Sequence, residues 1–211
     1  MRAFRALLIL LVLALAGGGA YEWWNLFARF QPHTVTKDQA QIGKILQASG
    51  WVSPGLSGAK LYVIAYRDCA ACVQFEQEAF DPLHAAGVDT RVIMIARDDL
   101  NGVAQSTPAE RATVAELWFN RSWPLLQKWL AAPSASWTAA GIAPADGDVA
   151  RSAVVEAGPA TVDRLTPLLK DNGVGFSYPL LVWWTKDGAM RACACDNPKS
   201  FSYVRRDLGV N

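Results

Sequence analysis

The chain's four cysteines come as two close pairs, Cys69-Ala70-Ala71-Cys72 and Cys193-Ala194-Cys195. Thiols paired at such spacing serve either reversible disulfide exchange or a four-thiolate metal site. The first pair follows an apolar run, Leu61 to Tyr66, and precedes a segment in which Cys72, Phe75 and Ala79 recur at helical spacing. A strand is therefore expected to hand over to a helix at the dithiol. In a helix's first turn the Cys69 sulfur would meet unpaired backbone N–H groups and the positive end of the macrodipole, both of which favour thiolate over thiol. Cys72, one turn on, is expected to point inward beside Phe75. That makes Cys69 the exposed attacking thiol and Cys72 the buried resolving one. A strand–helix junction is not a metal knuckle, so the pair reads as redox chemistry with no metal and no cofactor.

Cys193 and Cys195 fall in a second apolar run, Ala189 to Cys195. Alternation along a strand puts both side chains on one face, with Cα atoms roughly 6.5–7 Å apart, at the limit of what a disulfide bridges. Two readings stay open: a second redox pair that exchanges with Cys69 or with a partner, or a structural pair of small apolar side chains. His33 and His84 stand apart from both motifs and read as surface or cap residues. The sequence has no Ser-His-Asp pattern, no carboxylate pair at a recognisable spacing and no glycine-rich phosphate loop.

The elements that must position these cysteines are legible in outline. Thr36 to Ala48 reads as a helix with Thr36 as N-cap, and Leu61 to Tyr66 as a strand. The dithiol helix ends near Ala86-Gly87, and Arg91 to Ala96 is a second strand, giving a βαβ unit with parallel strands. From Asp98 to Asn172 the pattern is helical. Thr107-Pro108-Ala109-Glu110 opens one helix as N-cap and N1 proline, and further helices are expected at about 122–131, 146–157 and 160–171. The tryptophans of this region, Trp118, Trp123, Trp129 and Trp137, read as core filling. Leu180 to Trp184 and Ala189 to Cys195 form a hairpin around Lys186-Asp187-Gly188, and Lys199 to Leu208 is a last helix.

The chain begins with two arginines and then 16 uncharged residues, Ala6 to Tyr21, which reads as an export segment. Small-residue sites at Ala14-Leu15-Ala16 and Gly18-Gly19-Ala20 suit cleavage, whereas Trp23 and Trp24 suit an uncleaved membrane anchor. On either course the body is placed where disulfides persist. Residues 22–58 are expected to be a tether and an N-terminal helix, and residues 59–211 the main domain, with its insertion at about 98–172. Net charge is +1, and without Arg2 and Arg5 there remain 18 basic residues against 19 acidic. That balance leaves no basic footprint for nucleic acid.

On Cys69-Ala70-Ala71-Cys72 after a strand, a helical insertion, Tyr178-Pro179 opening the next strand, and a terminal hairpin plus helix, the chain resembles the thioredoxin superfamily. It looks closest to the exported Dsb-type members, the isomerase branch in particular. The resemblance implies an α/β thioredoxin-like fold (β-α-β, helical insertion, β-β-α) behind an N-terminal export segment. It implies disulfide exchange on Cys69 and Cys72, a cis-proline at Pro179, and substrate-binding roles for Tyr178 and Pro179. Its partners would be disulfide- or thiol-containing envelope proteins and a membrane electron donor, in the bacterial periplasm. The chain departs from the family pattern in having two alanines between the cysteines, which leaves Cys69 reliant on the helix terminus, opposed by Asp68 and assisted by Arg67. Where the thioredoxins keep a buried acid, six residues before the first cysteine, this chain has Val63. About 38 residues separate the export segment from the fold, too few for the isomerases' dimerisation domain. The alternative function is a partner-binding thioredoxin-like module of an envelope secretion or conjugation assembly, with little redox activity.

Overall fold

The computed structural model describes residues 17–24 and 28–210. Most of the expected export segment, residues 1–16, lies outside them. The chain divides into two units, Met1–Gln31 and Pro32–Asn211. In the first, α1 (residues 17–24) leaves Tyr21, Trp23 and Trp24 exposed. Among the described residues no helix is long and apolar enough to cross a membrane.

The second unit is built on a five-stranded sheet in the order β1-β5-β4-β2-β3. Its strands are β1 (His33–Thr34), β2 (Lys60–Ala65), β3 (Asp89–Met94), β4 (Leu180–Trp184) and β5 (Met190–Ala194). β2 and β3 are parallel, and β4 is antiparallel to both β2 and β5. β5 therefore runs parallel to β2, and the two strands end at the same edge of the sheet. The helices are α2 (Gln39–Ala48), α3 (Ala70–Ala85), α4 (Pro108–Asn120), α5 (Trp123–Ala131), α6 (Val149–Lys170) and α7 (Pro198–Asp207). This is the thioredoxin-like order β-α-β, helical insertion, β-β-α.

Alternation along the strands sorts the core into two layers. Tyr62, Ile64, Leu180, Val182 and Ala192 face Ile42, Ile45 and Leu46 of α2 and Val162, Leu165 and Leu169 of α6. Leu61, Val63, Ala65, Leu181, Trp183 and Cys193 face Phe75, Ala79 and Leu83 of α3 and Phe201 and Val204 of α7, with the insert helices α4 and α5 joining through Leu117, Leu126 and Trp129. Of the insert's tryptophans, Trp129 is fully buried, and Trp118, Trp123 and Trp137 pack half-buried against the same cluster.

Three expectations change. His33 and Thr34, read as tether, pair with β5 at the sheet's edge, so the compact unit begins at Pro32 and takes in α2 as well. α2 starts at Gln39 rather than Thr36, and its N-cap Asp38 makes no side-chain cap bond. Asn172, just past α6, accepts from the Thr36 and Lys37 N–H groups at 2.8 and 2.9 Å and so holds the chain that enters α2. The helices expected at 146–157 and 160–171 are one, α6, which runs through Pro159 and Pro167. A proline forfeits one helical hydrogen bond, and here packing on two partners, α4 and α2, keeps the helix continuous. Gly158 fits that packing closely, since a Cβ there would stand 3.2 Å from Ile95. Thr107 caps α4 and Pro108 opens it as expected, and Glu110 completes a capping box with Thr107.

Candidate active site at the start of the dithiol helix

Cys69 is the N-cap of α3. It has extended backbone angles, and its Sγ accepts the Cys72 N–H at 3.1 Å. The two cysteines form a disulfide across a Cα separation of 5.1 Å. Placement at the helix start follows the sequence reading, but exposure does not. Cys69 is only 4% exposed, little more than Cys72 at 2%, so the expected contrast between an open and a buried sulfur is absent. Both lie in the cluster that Tyr66, Ala71 and Tyr178 cover from outside.

Tyr178 and Pro179 lie in the loop entering β4, and the peptide between them is cis. The Tyr178 ring meets Tyr66, three residues before Cys69, edge to face at 5.2 Å, and meets Phe176 at 5.1 Å. Arg97 stacks on Tyr66 at 4.4 Å. Phe176 is half exposed, so this aromatic group carries an open apolar surface beside the dithiol. Burial, together with the charges of Asp163 and Asp98, pushes the Tyr178 phenol up to about 12, so it stays a neutral hydroxyl.

Cys193 and Cys195 are also joined, with Cα atoms 5.2 Å apart. That is shorter than the extended-strand spacing expected from sequence, and β5 ends between the two cysteines, at Ala194. The pair thus falls inside the ordinary bridging range. Cys195 donates its N–H to the Pro179 carbonyl at 2.9 Å.

Arg67, expected to favour the Cys69 thiolate, is largely committed to the insert. Its guanidinium donates to the carbonyls of Leu130 and Ala132 at the end of α5 and lies over the Trp129 ring at 5.5 Å. The negative end of α5 suits a cation there, although burial holds the Arg67 pKa below its ordinary value. Arg67→Lys should lower stability by about 1–2 kcal/mol, because an ammonium cannot reproduce the fork that spans two carbonyls. A urea midpoint unchanged from wild type would show that the clamp is dispensable.

Two groups near α3 were not read as important in the sequence. Glu76, one turn past Cys72, lines a cavity of about 430 Å³ with Val73, Phe80, His84, Trp123 and Leu130. Burial pushes its carboxyl up to about 7, against the opposing pull of Arg67. His84, expected to be a surface or cap residue, lies in the last turn of α3. It is half-buried, its Nε2 lies 2.7 Å from Thr90 Oγ1, and burial lowers its pKa. Val63 is buried in β2, as read.

Fold and site together define a thioredoxin-like fold with a disulfide at the start of α3 and a cis-proline loop beside it. Among the solved structures similar to the chain are two thiol–disulfide proteins. One is the DsbA of Chlamydia trachomatis, at 16% identity and a TM-score of 0.39, covering 76% of this chain and 88% of that one. The other is MdbA, a thiol-disulfide oxidoreductase from Corynebacterium diphtheriae, at 12% identity and a TM-score of 0.37, covering 80% and 99%. No protein-family model and no curated protein matches the sequence.

Proposed function

We propose that the protein is an exported thiol–disulfide oxidoreductase that reduces or isomerises disulfides in envelope proteins. The observation that carries this reading is Cys69 at the N-cap of α3, its Sγ accepting the Cys72 N–H, bonded to Cys72 next to the Tyr178–Pro179 loop. Once the pair is reduced, the Cys69 thiolate attacks a substrate disulfide and one substrate sulfur leaves as thiolate. Cys72 then attacks Cys69 Sγ and releases the second, re-forming the disulfide seen here. Two electrons pass to the substrate, and a membrane electron donor restores the dithiol. Tyr178 and Pro179 form the substrate-binding edge, with Phe176 as an apolar contact. The site operates in the periplasm, with residues 1–21 acting as signal or anchor.

Low exposure of Cys69 favours a second reading, a partner-binding module of an envelope assembly with little redox activity. Trapping separates the two. Cys72→Ala, expressed with its export segment, should accumulate envelope proteins linked to Cys69 that thiol reductants release. If it captures no more than a variant lacking both cysteines, the module reading replaces the enzyme.

A further inference from the structure

The second cysteine pair is not used by the chemistry above. β5 runs parallel to β2, so α3 and α7 start at the same end of the sheet, α3 within the first cysteine pair and α7 three residues after the second. Their contacts fix the relative height. Phe75, six residues after Cys69, stacks on Phe201, six residues after Cys195, with ring centroids 5.0 Å apart. Further along, Arg205 donates to the Glu78 carbonyl at 3.2 Å, ten residues after Cys195 and nine after Cys69. The helices therefore run side by side, and the segments carrying the two cysteine pairs meet at the same end of the sheet.

The sheet brings the two pairs to the same end of the molecule. One residue beyond the Ile64–Leu180 and Leu180–Ala194 pairings, Ala65, Pro179 and Cys195 form a row across β2, β4 and β5. Two strand spacings put Cys195 about 10 Å from Ala65, four residues before Cys69. Cys193 and Cys195 point to the α3 face and belong to the same buried cluster as Cys69 and Cys72. At 5% and 0% exposure they are buried to the same degree as Cys69 and Cys72, at 4% and 2%, so the four sulfurs share one buried cluster in which each pair is the other's nearest source of cysteine.

We propose that Cys193–Cys195 is a second redox-active disulfide that exchanges electrons with Cys69–Cys72 inside the molecule. The proposal rests on Cys69–Cys72 being redox-active, as read above. With that pair reduced by an external dithiol, the Cys69 thiolate attacks Cys195 Sγ. A Cys69–Cys195 bond forms, and Cys193 leaves as thiolate. Cys72 thiolate then attacks Cys69 Sγ and releases Cys195. The products are the Cys69–Cys72 disulfide and a Cys193/Cys195 dithiol, with two electrons moved and a proton taken up by each released thiolate. A disulfide needs Cα atoms about 4.4–6.8 Å apart, so the intermediate forms when Cys69 and Cys195 approach to that distance. A protein so built stores four electrons, which suits a substrate with two disulfides to resolve.

The test follows reduction by dithiothreitol, with acid quenching, alkylation and mass mapping of each cysteine. In the wild type, Cys193–Cys195 should open after Cys69–Cys72. In Cys69→Ser/Cys72→Ser it should open about tenfold more slowly or worse, its internal donor being gone. Cys72→Ala/Cys193→Ala should carry a Cys69–Cys195 disulfide in a non-reducing peptide map. Equal opening rates in the first comparison, or an uncross-linked double variant with native circular dichroism, overturns the proposal. A protein that passes both tests yet leaves insulin and envelope disulfides intact sinks the substrate reading instead and leaves the relay standing.

Discussion

A Cys69→Ser protein is expected to lose insulin-reducing activity down to the rate of the reductant alone, a fall of about 100-fold or more, while remaining folded. The loss follows from position. Cys69 is the N-cap of α3, and the Cys72 N–H already points at its sulfur from 3.1 Å. In the reduced protein the same donor makes a charge-assisted hydrogen bond to a thiolate, reinforced by the helix terminus. Cys72 sits inside the first turn, nearly sealed, with its own N–H spent on Cys69. Serine keeps the cap, since its hydroxyl accepts the same bond and serine is among the preferred N-cap residues. Lost activity therefore reports chemistry rather than unfolding, and an unchanged melting temperature checks it. Cys72→Ser should behave differently: its first attack survives, and mixed disulfides accumulate on Cys69. If Cys72→Ser alone were inactive towards substrate while Cys69→Ser still formed adducts, the assignment of attacking and resolving sulfurs would be reversed.

Local chemistry was legible in the sequence wherever it acts over a few residues. The β2-α3-β3 unit follows from two apolar runs around a helical period, and the start of α4 from Thr107, Pro108 and Glu110. The approach of Tyr178-Pro179 to the dithiol was implied only by the resemblance, because no periodicity links residues more than 100 positions apart. Contacts made by distant partners were not legible. β1 is two residues long and exists because β5 offers it an edge; nothing in His33-Thr34 marks a strand. α6 passes Pro159 because α4 and α2 hold its two halves, whereas local propensity breaks the helix there. Burial of Cys69 comes from a cluster assembled from α3, α5, α7 and the sheet, with Tyr66 and Tyr178 packed against it. Arg67 reads as a charge beside a thiol until α5 presents two carbonyls to it. The Cys193 to Cys195 spacing follows strand geometry only if the strand continues, and it stops at Ala194.

Glu76 supplies a pH dependence that composition would not suggest. Its carboxyl is raised from the ordinary 4.5 to about 7, first by burial, with Arg67 acting in the opposite sense. The folded protein therefore holds a proton on Glu76 over a range in which the unfolded chain has released it. With more protons bound in the native state, stability falls as pH rises through that window: it is greatest below about 4.5, and the loss is complete above about 7. At about 1.4 kcal/mol for each pH unit, the loss amounts to roughly 2–3 kcal/mol once partial exposure is allowed for. Glu76→Gln keeps the shape and the neutral form's hydrogen-bonding capacity. It should match the wild type near pH 4.5 and exceed it by that amount at about pH 8, read as urea midpoints on the two proteins. A variant weaker than wild type at high pH would mean that the ionised carboxylate makes a stabilising contact with Arg67 that outweighs its burial. The sign bears on the dithiol too, because a negative charge one turn past Cys72 opposes formation of the Cys72 thiolate. Resolution of mixed disulfides should accordingly slow as Glu76 ionises and lose that component in Glu76→Gln.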